Sequence, residues 1–136
     1  MAGMHSRRKG KVGEQDAARL LRPICPEVRT KRAGGESASQ DRGRDLLGTP
    51  GLCVQVKCHA TPQPIQALRE ATQAAQGNEL PVAFVRQSSR GASSPWCVIL
   101  EASDFVGLVA LARGDVSAAA RILSDRDVAA AEQAVS

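Results

Sequence analysis

Three polar residues in one short segment have the types and the spacing of a metal-dependent hydrolytic site. Residues 45–57 read DLLGTPGLCVQVK, where two short apolar runs flank a Gly-Thr-Pro-Gly turn, so the segment is predicted to form a β-hairpin. Because side chains alternate between the faces of a strand, Gln55 and Lys57 share one face and the intervening apolar residues belong in the core. Asp45 arrives from the partner strand. A carboxylate, an amide oxygen and an ammonium group on one sheet edge suit the hydrolysis of a phosphodiester with a metal ion.

Each of these residues also has an ordinary structural interpretation. Asp45 could pair with Arg42 or Arg44 at the start of a strand, an arrangement that contributes little stability. Lys57 could be a charge that protects an edge strand from aggregation. Gln55 alone could be a surface residue. The chemical interpretation therefore depends on the three residues occurring together.

Positive charge is concentrated in the N-terminal third of the chain. Residues 1–44 carry eleven basic and five acidic side chains, and the remainder carries seven and nine. Such a distribution predicts a polyanionic partner, with a solvated, partly disordered terminus as the alternative. The aromatic residues are Phe84, Trp96 and Phe105. With so few of them, modules that stack bases on aromatic platforms are disfavoured, so a nucleic acid would be held by its backbone.

Length and cysteine usage favour one domain in a reducing compartment. The 136 residues are enough for a single core. The four cysteines include no CxxC pair, which disfavours a zinc site and fits a reduced, cytosolic setting. The opening MAGMHSRRKGK lacks the apolar segment of a secretory signal, and no apolar run approaches the length of a membrane span. We therefore expect a soluble protein of the cytoplasm.

The elements that must position the polar residues alternate between helix and strand. Periodicity, prolines and capping residues mark their limits. The pattern predicts an α/β domain with one mixed sheet flanked by helices. In order, the predicted elements are a helix over 13–22, a strand over 27–33, the hairpin over 45–57, a helix from Pro64 to near Gly77-Asn78, strands over 81–86 and 96–101, a helix over 104–113 with Ser103 as N-cap, and a helix on either side of Ser124.

The arrangement resembles the PD-(D/E)XK nuclease superfamily, and within it the Holliday-junction resolvases of archaea and of bacterial viruses. The matching residues are Gly10-x-x-x-Glu14 on a helix, Asp45, and Gln55-Val56-Lys57 on a hairpin that a helix and a strand pair follow. The basic RRKGKVGE opening and the compact size support that branch. The resemblance implies a restriction-endonuclease-like core of order αβββαβ in a nuclease domain over 1–113, with a basic arm over 1–12 and a helical tail over 114–136.

The resemblance also implies a role for each residue of the motif. Asp45 would be the central metal ligand, and the backbone carbonyl of Val56 would complete that side of the metal. Gln55 would occupy the position usually held by Glu or Asp, so it supplies an oxygen without a charge. Lys57 would orient or activate the attacking water. Glu14 would help to hold the metal, although an acidic residue early in a helix also suits the helix dipole. The implied cofactor is Mg²⁺, with Mn²⁺ as a substitute, because Mg²⁺ prefers hard oxygen ligands and keeps several waters.

The implied function is a structure-selective endonuclease that cleaves four-way DNA junctions in recombination and repair, inside a bacterium or a virus-infected bacterial cell. Two symmetric cuts imply a homodimer. A restriction- or repair-type nuclease on the same fold stays open as an alternative, as does a non-catalytic DNA-binding protein that has lost the site. The side chains expected to follow DNA phosphates, which give affinity rather than sequence readout, are Arg7, Arg8, Lys9, Lys11, Arg29, Lys31, Arg32, Arg86 and Arg90.

Overall fold

Helices and strands follow one another in the predicted order, except that a two-residue strand, Ala92–Ser93, forms in a segment predicted to be a loop. The computed structural model describes residues 2–31, 43–89, 92–118 and 120–121. The chain divides into two compact units, Met1–Ile99 and Leu100–Ser136. The elements are α1 (Ala2–Leu21), β1 (Arg29–Thr30), β2 (Leu46–Leu47), β3 (Leu52–His59), α2 (Pro64–Ala74), β4 (Leu80–Ser89), β5 (Ala92–Ser93), β6 (Cys97–Ile99) and α3 (Ala102–Ala112).

The main sheet is mixed, as predicted. Strands β3 and β4 are parallel over eight residues, from the pair Leu52–Leu80 to the pair His59–Gln87. Parallel neighbours require a crossover connection, and α2 provides it. Strand β6 pairs antiparallel with β4, and β5 pairs antiparallel with the end of β4. Strands β1 and β2 form a separate antiparallel pair.

The two faces of β3 are covered by different helices. Lys57 lies beside Val85 in the register of the parallel pair, and Val85 packs with Ala67 of α2 in the core. On the opposite face, a Cβ built at Gly13 of α1 would lie 3.0 Å from the Cβ of Cys58. The predicted sheet flanked by helices is therefore confirmed, with α1 on one face and α2 on the other.

Several element limits differ from the predicted ones for local reasons. Helix α1 begins at Ala2 rather than at residue 13, because the basic opening contains good helix formers and no proline. Strand β4 extends to Ser89 because Ser88 and Ser89 pair with β5. Of the strand predicted over 27–33, the structure forms only Arg29–Thr30, and residues 32–33 lie outside the described part.

The last two helices also differ in their ends. Helix α2 ends at Ala74, because Ala75 already has extended backbone angles (φ −66°, ψ 143°). The N-cap of α3 is Glu101 and not Ser103, and the amide of Phe105 donates to the Glu101 carbonyl at 3.1 Å. The helices predicted around Ser124 lie outside the described residues. No helix in the described ranges combines the length and apolar content that a bilayer crossing requires.

Candidate active site

The turn between β2 and β3 places Asp45 beside the middle of β3. Within the turn, the Leu52 amide donates to the Thr49 carbonyl at 2.9 Å, and the Thr49 hydroxyl donates to the Leu52 carbonyl at 3.1 Å. The Asp45 amide donates to the Val54 carbonyl at 3.1 Å. The Val56 amide donates to Oδ2 of Asp45 at 2.7 Å. Both the backbone and the carboxylate of Asp45 are therefore attached to β3.

The predicted hairpin is correct in its turn but wrong in its pairing. Strand β2 forms its ladder with β1, where Leu46 lies opposite Thr30 and Leu47 opposite Arg29. The backbone of Leu46 and Leu47 is taken up by the ladder with β1. The hydrogen bonds to β3 come from Asp45, whose amide donates to the Val54 carbonyl and whose side chain accepts the Val56 amide. The chain thus meets β3 at Asp45, and the following residues pair elsewhere.

Gln55 is a buried residue, so the surface interpretation is wrong. Its relative exposure is 4 %, and its Nε2 donates to the carbonyl of Gly43, two residues before Asp45. A buried amide needs such a partner, because an unpaired polar group costs free energy. Gln55 therefore holds the segment that carries Asp45 through its Nε2 atom. The other polar atom of the amide, Oε1, can only accept hydrogen bonds or ligate a cation.

Lys57 forms an ion pair with a residue that sequence reasoning missed. Its Nζ lies 2.8 Å from Oε2 of Glu70 on α2, and the two side chains are 30 % and 34 % exposed. Lys57 is thus engaged with α2 across a sheet face. Strand β3 lies at the edge of the four-stranded sheet, so the interpretation of Lys57 as an edge-strand charge stays open. The helical spacing in the sequence could have placed Glu70 near the sheet, because it lies between Ala67 and Ala71, which are buried residues of α2.

A cavity of about 220 Å³ adjoins this ion pair. It lies where β3 ends and α2 begins, and both members of the pair contribute to its wall together with His59 and Gln66. The wall is thus mostly polar. A group that enters this cavity meets an ammonium and a carboxylate side by side.

The charges around Asp45 have opposing effects on its carboxyl group. Burial is the largest effect and raises the pKa of Asp45 above 3.8. The hydrogen bond from Val56 and the positive charges of Lys31 and Lys57 lower that pKa, and the negative charge of Glu70 raises it. Two carboxylates and two ammonium groups therefore interact within one small region. Lys31, predicted only to follow DNA phosphates, belongs to it.

Arg44 connects the segment before β2 to the start of β4. Its guanidinium donates to the carboxylate of Glu79 through two nitrogens, at 2.6 and 2.7 Å. Arg42, the other arginine considered as a partner of Asp45, lies outside the described residues. The Arg44–Glu79 pair thus anchors the residue next to Asp45.

Glu14 follows Gly13, the residue of α1 that packs against Cys58 of β3. It is a half-buried residue of α1, the helix that covers the face of β3 opposite α2. Its role as a metal ligand stays a prediction. Among the residues that the structure describes, no group of three or more His, Cys, Asp or Glu side chains is arranged to hold a metal ion.

The basic residues predicted to follow phosphates have different environments. Lys11 is exposed, and Arg29 and Lys31 are half-buried. Arg86 donates to the Ser94 carbonyl at 2.9 Å, lies over the ring of Trp96 at 5.6 Å, and has Asp16 at 3.8 Å. The side chains of Arg7, Arg8 and Lys9, together with Arg32 and Arg90, lie outside the described part of the chain.

Comparison of the chain with protein-family models, with curated proteins and with solved structures found no match in any of the three.

Proposed function

We propose that this protein is a metal-dependent DNA endonuclease with a restriction-endonuclease-like core, selective for branched DNA such as four-way junctions. The observation that carries the proposal is the attachment of Asp45 to the Val56 amide, at 2.7 Å, next to Lys57, whose charge acts on the Asp45 carboxyl group. A carboxylate that can hold a metal ion and an ammonium that can balance phosphate charge, at one point of a strand, suit the hydrolysis of a phosphodiester.

The donor atoms at this edge fit a hard divalent cation. In a strand, the N–H and C=O of one residue point to the same edge, so the Val56 carbonyl is on the side of Asp45. Asp45 would supply a carboxylate, Val56 a carbonyl and Gln55 an amide oxygen, and oxygen ligands suit Mg²⁺ or Mn²⁺. When bound there, the metal would stabilise charge on the phosphate and lower the pKa of the attacking water.

The side chains of the protein would divide the remaining work. Lys57 would balance the charge of the phosphate and orient the water. Glu70, 2.8 Å from Lys57, would keep that ammonium in place, which makes Glu70 a positioning residue. Asp45 must be ionised to act as a ligand, and its raised pKa means that acid would oppose metal binding at a higher pH than for an ordinary aspartate.

We further propose that the substrate is branched DNA, that the protein acts as a homodimer, and that it acts in the cytoplasm of a bacterial cell. The net charge of +4 and the basic N-terminal third support a polyanionic substrate. Two symmetric cuts in a four-way junction need two copies of the site, which is the argument for the dimer.

A non-catalytic DNA-binding protein on the same fold is the second candidate, and Gln55 favours it. Its amide already has a structural role, since Nε2 donates to the Gly43 carbonyl. A residue retained for that bond need not ligate a metal. Binding of DNA without cleavage is the outcome that distinguishes this candidate.

Incubation with a labelled four-way junction and a labelled linear duplex, with and without Mg²⁺ or Mn²⁺, tests the proposal. Metal-dependent cleavage of the junction is expected, with loss of cleavage in Asp45→Asn and in Lys57→Ala, and with binding retained in Asp45→Asn. Arg69→Ala, at an exposed position of α2, is the matched control. Binding without cleavage in either metal would overturn the nuclease proposal, and equal cleavage of both substrates would overturn junction selectivity alone.

A further inference from the structure

A second cavity lies between α1 and β1, on residues that the proposed active site does not use. Its volume is about 290 Å³, and Arg19, Arg22 and Arg29 line it. Ala18 and Val28, both buried, contribute apolar lining. Pockets for whole cofactors or drug-sized ligands measure roughly 300–1,000 Å³. This cavity is at the small end of that range, and the arginines in its wall favour an anionic group.

The described side chains around this cavity carry an excess of positive charge. Arg19 lies 3.4 Å from Asp16, but that carboxylate is also 3.8 Å from Arg86, so two guanidinium groups share one negative charge. Arg22 is exposed. Acidic residues do not occur among the described residues that line the cavity. Arg29 donates through Nη1 to the Glu27 carbonyl at 3.5 Å. An anion in the cavity would thus meet the guanidinium of the exposed Arg22 first, with those of Arg19 and Arg29 beside it.

We propose that this cavity, here called the arginine groove (Arg19, Arg22 and Arg29), binds a backbone phosphate of DNA away from the point of cleavage. Guanidinium groups present planar pairs of N–H donors that match phosphate oxygens. The groove shares no described lining residue with the cavity at Lys57, so its contribution is to affinity and register. The inference rests on the proposed function for its choice of ligand, since DNA is the proposed substrate.

The salt dependence of DNA binding by the full chain, measured in EDTA so that cleavage cannot occur, tests the groove. A labelled duplex is titrated at several NaCl concentrations with wild type, Arg22→Ala, Arg22→Lys and the control Arg69→Ala. Each lost phosphate contact lowers the slope of log affinity against log salt by about 0.9. We expect that reduction in Arg22→Ala, near-wild-type slopes in Arg22→Lys, and no change in Arg69→Ala.

An unchanged slope in Arg22→Ala would overturn the groove, even if Mg²⁺ then supported cleavage. A reduced slope together with no metal-dependent cleavage by wild type would overturn the nuclease and leave the groove standing. Inorganic phosphate added at constant ionic strength distinguishes a DNA phosphate from free phosphate as the ligand of the arginine groove. If phosphate binding depends on Arg22 while DNA affinity and slope do not, the groove is a site for free phosphate and the DNA assignment is wrong.

Discussion

Lys57 of β3 and Glu70 of α2 form an ion pair of 2.8 Å that joins the strand to the helix that follows it. Both side chains are about one third exposed, so the pair contributes little stability, of the order of 0–1 kcal/mol. Its importance is electrostatic, because both charges act on Asp45, Lys57 lowering and Glu70 raising the pKa of that carboxyl group. The pair thus influences the pH at which Asp45 ionises.

Glu70→Gln should move the acidic limb of the cleavage pH profile to lower pH. Glu70 raises the pKa of Asp45, so its neutralisation lets Asp45 ionise, and bind metal, in more acidic solution. We also expect kcat to fall several-fold, since Lys57 loses its positioning partner, while the melting temperature changes little. Cleavage rates across pH test this, with Glu101→Gln, an exposed carboxylate of the other compact unit, as the control. An acidic limb that stays in place would contradict the coupling.

Glu79→Gln should destabilise the protein by about 1.5–3 kcal/mol at neutral pH, the usual range for hydrogen bonds to charged groups. Burial opposes ionisation of Glu79, but the hydrogen bonds from Arg44 and from the Gln76 amide, and the Arg44 charge, lower its pKa below 4.5 overall. A lowered pKa in the folded state contributes stability that is present above 4.5 and is lost as pH falls through the folded-state value. Urea denaturation at a series of pH values measures the difference. A difference that persists or grows in acid would show that the pair does not act through the charge of Glu79.

The element order could be predicted from sequence because helix and strand periodicities are local. The turn before β3 follows from Gly48, Pro50 and Gly51, and the alternation along β3 correctly placed Gln55 and Lys57 on one face. The pairing of β2 with β1 could not be predicted in the same way. It depends on Arg29 and Thr30, which are distant in sequence from the Leu46–Leu47 strand that they pair with.

The candidate site was predictable in its types of residue but not in its partners. The alternative in which Gln55 is a surface residue rested on the usual exposure of glutamine, and only the fold reveals the Gly43 carbonyl that permits its burial. Glu70 became a neighbour of Lys57 through the crossover of α2. The register between a helix and a strand depends on packing, which no local pattern specifies.

Gly48→Ala should destabilise the protein more than Gly51→Ala, although both glycines have positive φ, +72° and +77°. That conformation alone costs a residue with a side chain about 1–2 kcal/mol, which is the loss expected at Gly51, where a Cβ meets nothing described within 4 Å. At Gly48 a Cβ would lie 2.1 Å from the carbonyl oxygen of Glu27, so overpacking adds roughly 1–3 kcal/mol. Chemical denaturation of both variants gives the comparison, and equal losses would mean that the backbone of Glu27 moves aside freely.

Gln55→Glu decides whether position 55 belongs to the metal site or only to the fold. The new carboxylate would add a negative charge near Asp45, and an ionised carboxylate binds a hard cation better than an amide oxygen does. The substitution would also remove the Nε2–H group that donates to the Gly43 carbonyl. A carboxylate oxygen and the Gly43 carbonyl oxygen, both acceptors, would then face each other. Without metal, we therefore expect a loss of stability of about 1–3 kcal/mol, the cost of leaving a buried acceptor unsatisfied.

With Mg²⁺, the same variant should recover stability and need less metal for half-maximal cleavage. Thermal melts with EDTA measure the stability lost with the Gly43 hydrogen bond. Melts with increasing Mg²⁺ measure the stability gained from metal binding, because a ligand stabilises the state that binds it. Gln55→Leu, of similar volume and without an oxygen, serves as the matched control, since it loses the Gly43 bond but gains no charge. If Mg²⁺ raised the melting temperature of Gln55→Glu no more than that of Gln55→Leu, position 55 would not ligate the metal, and its amide would serve only to hold Gly43 and the segment that carries Asp45.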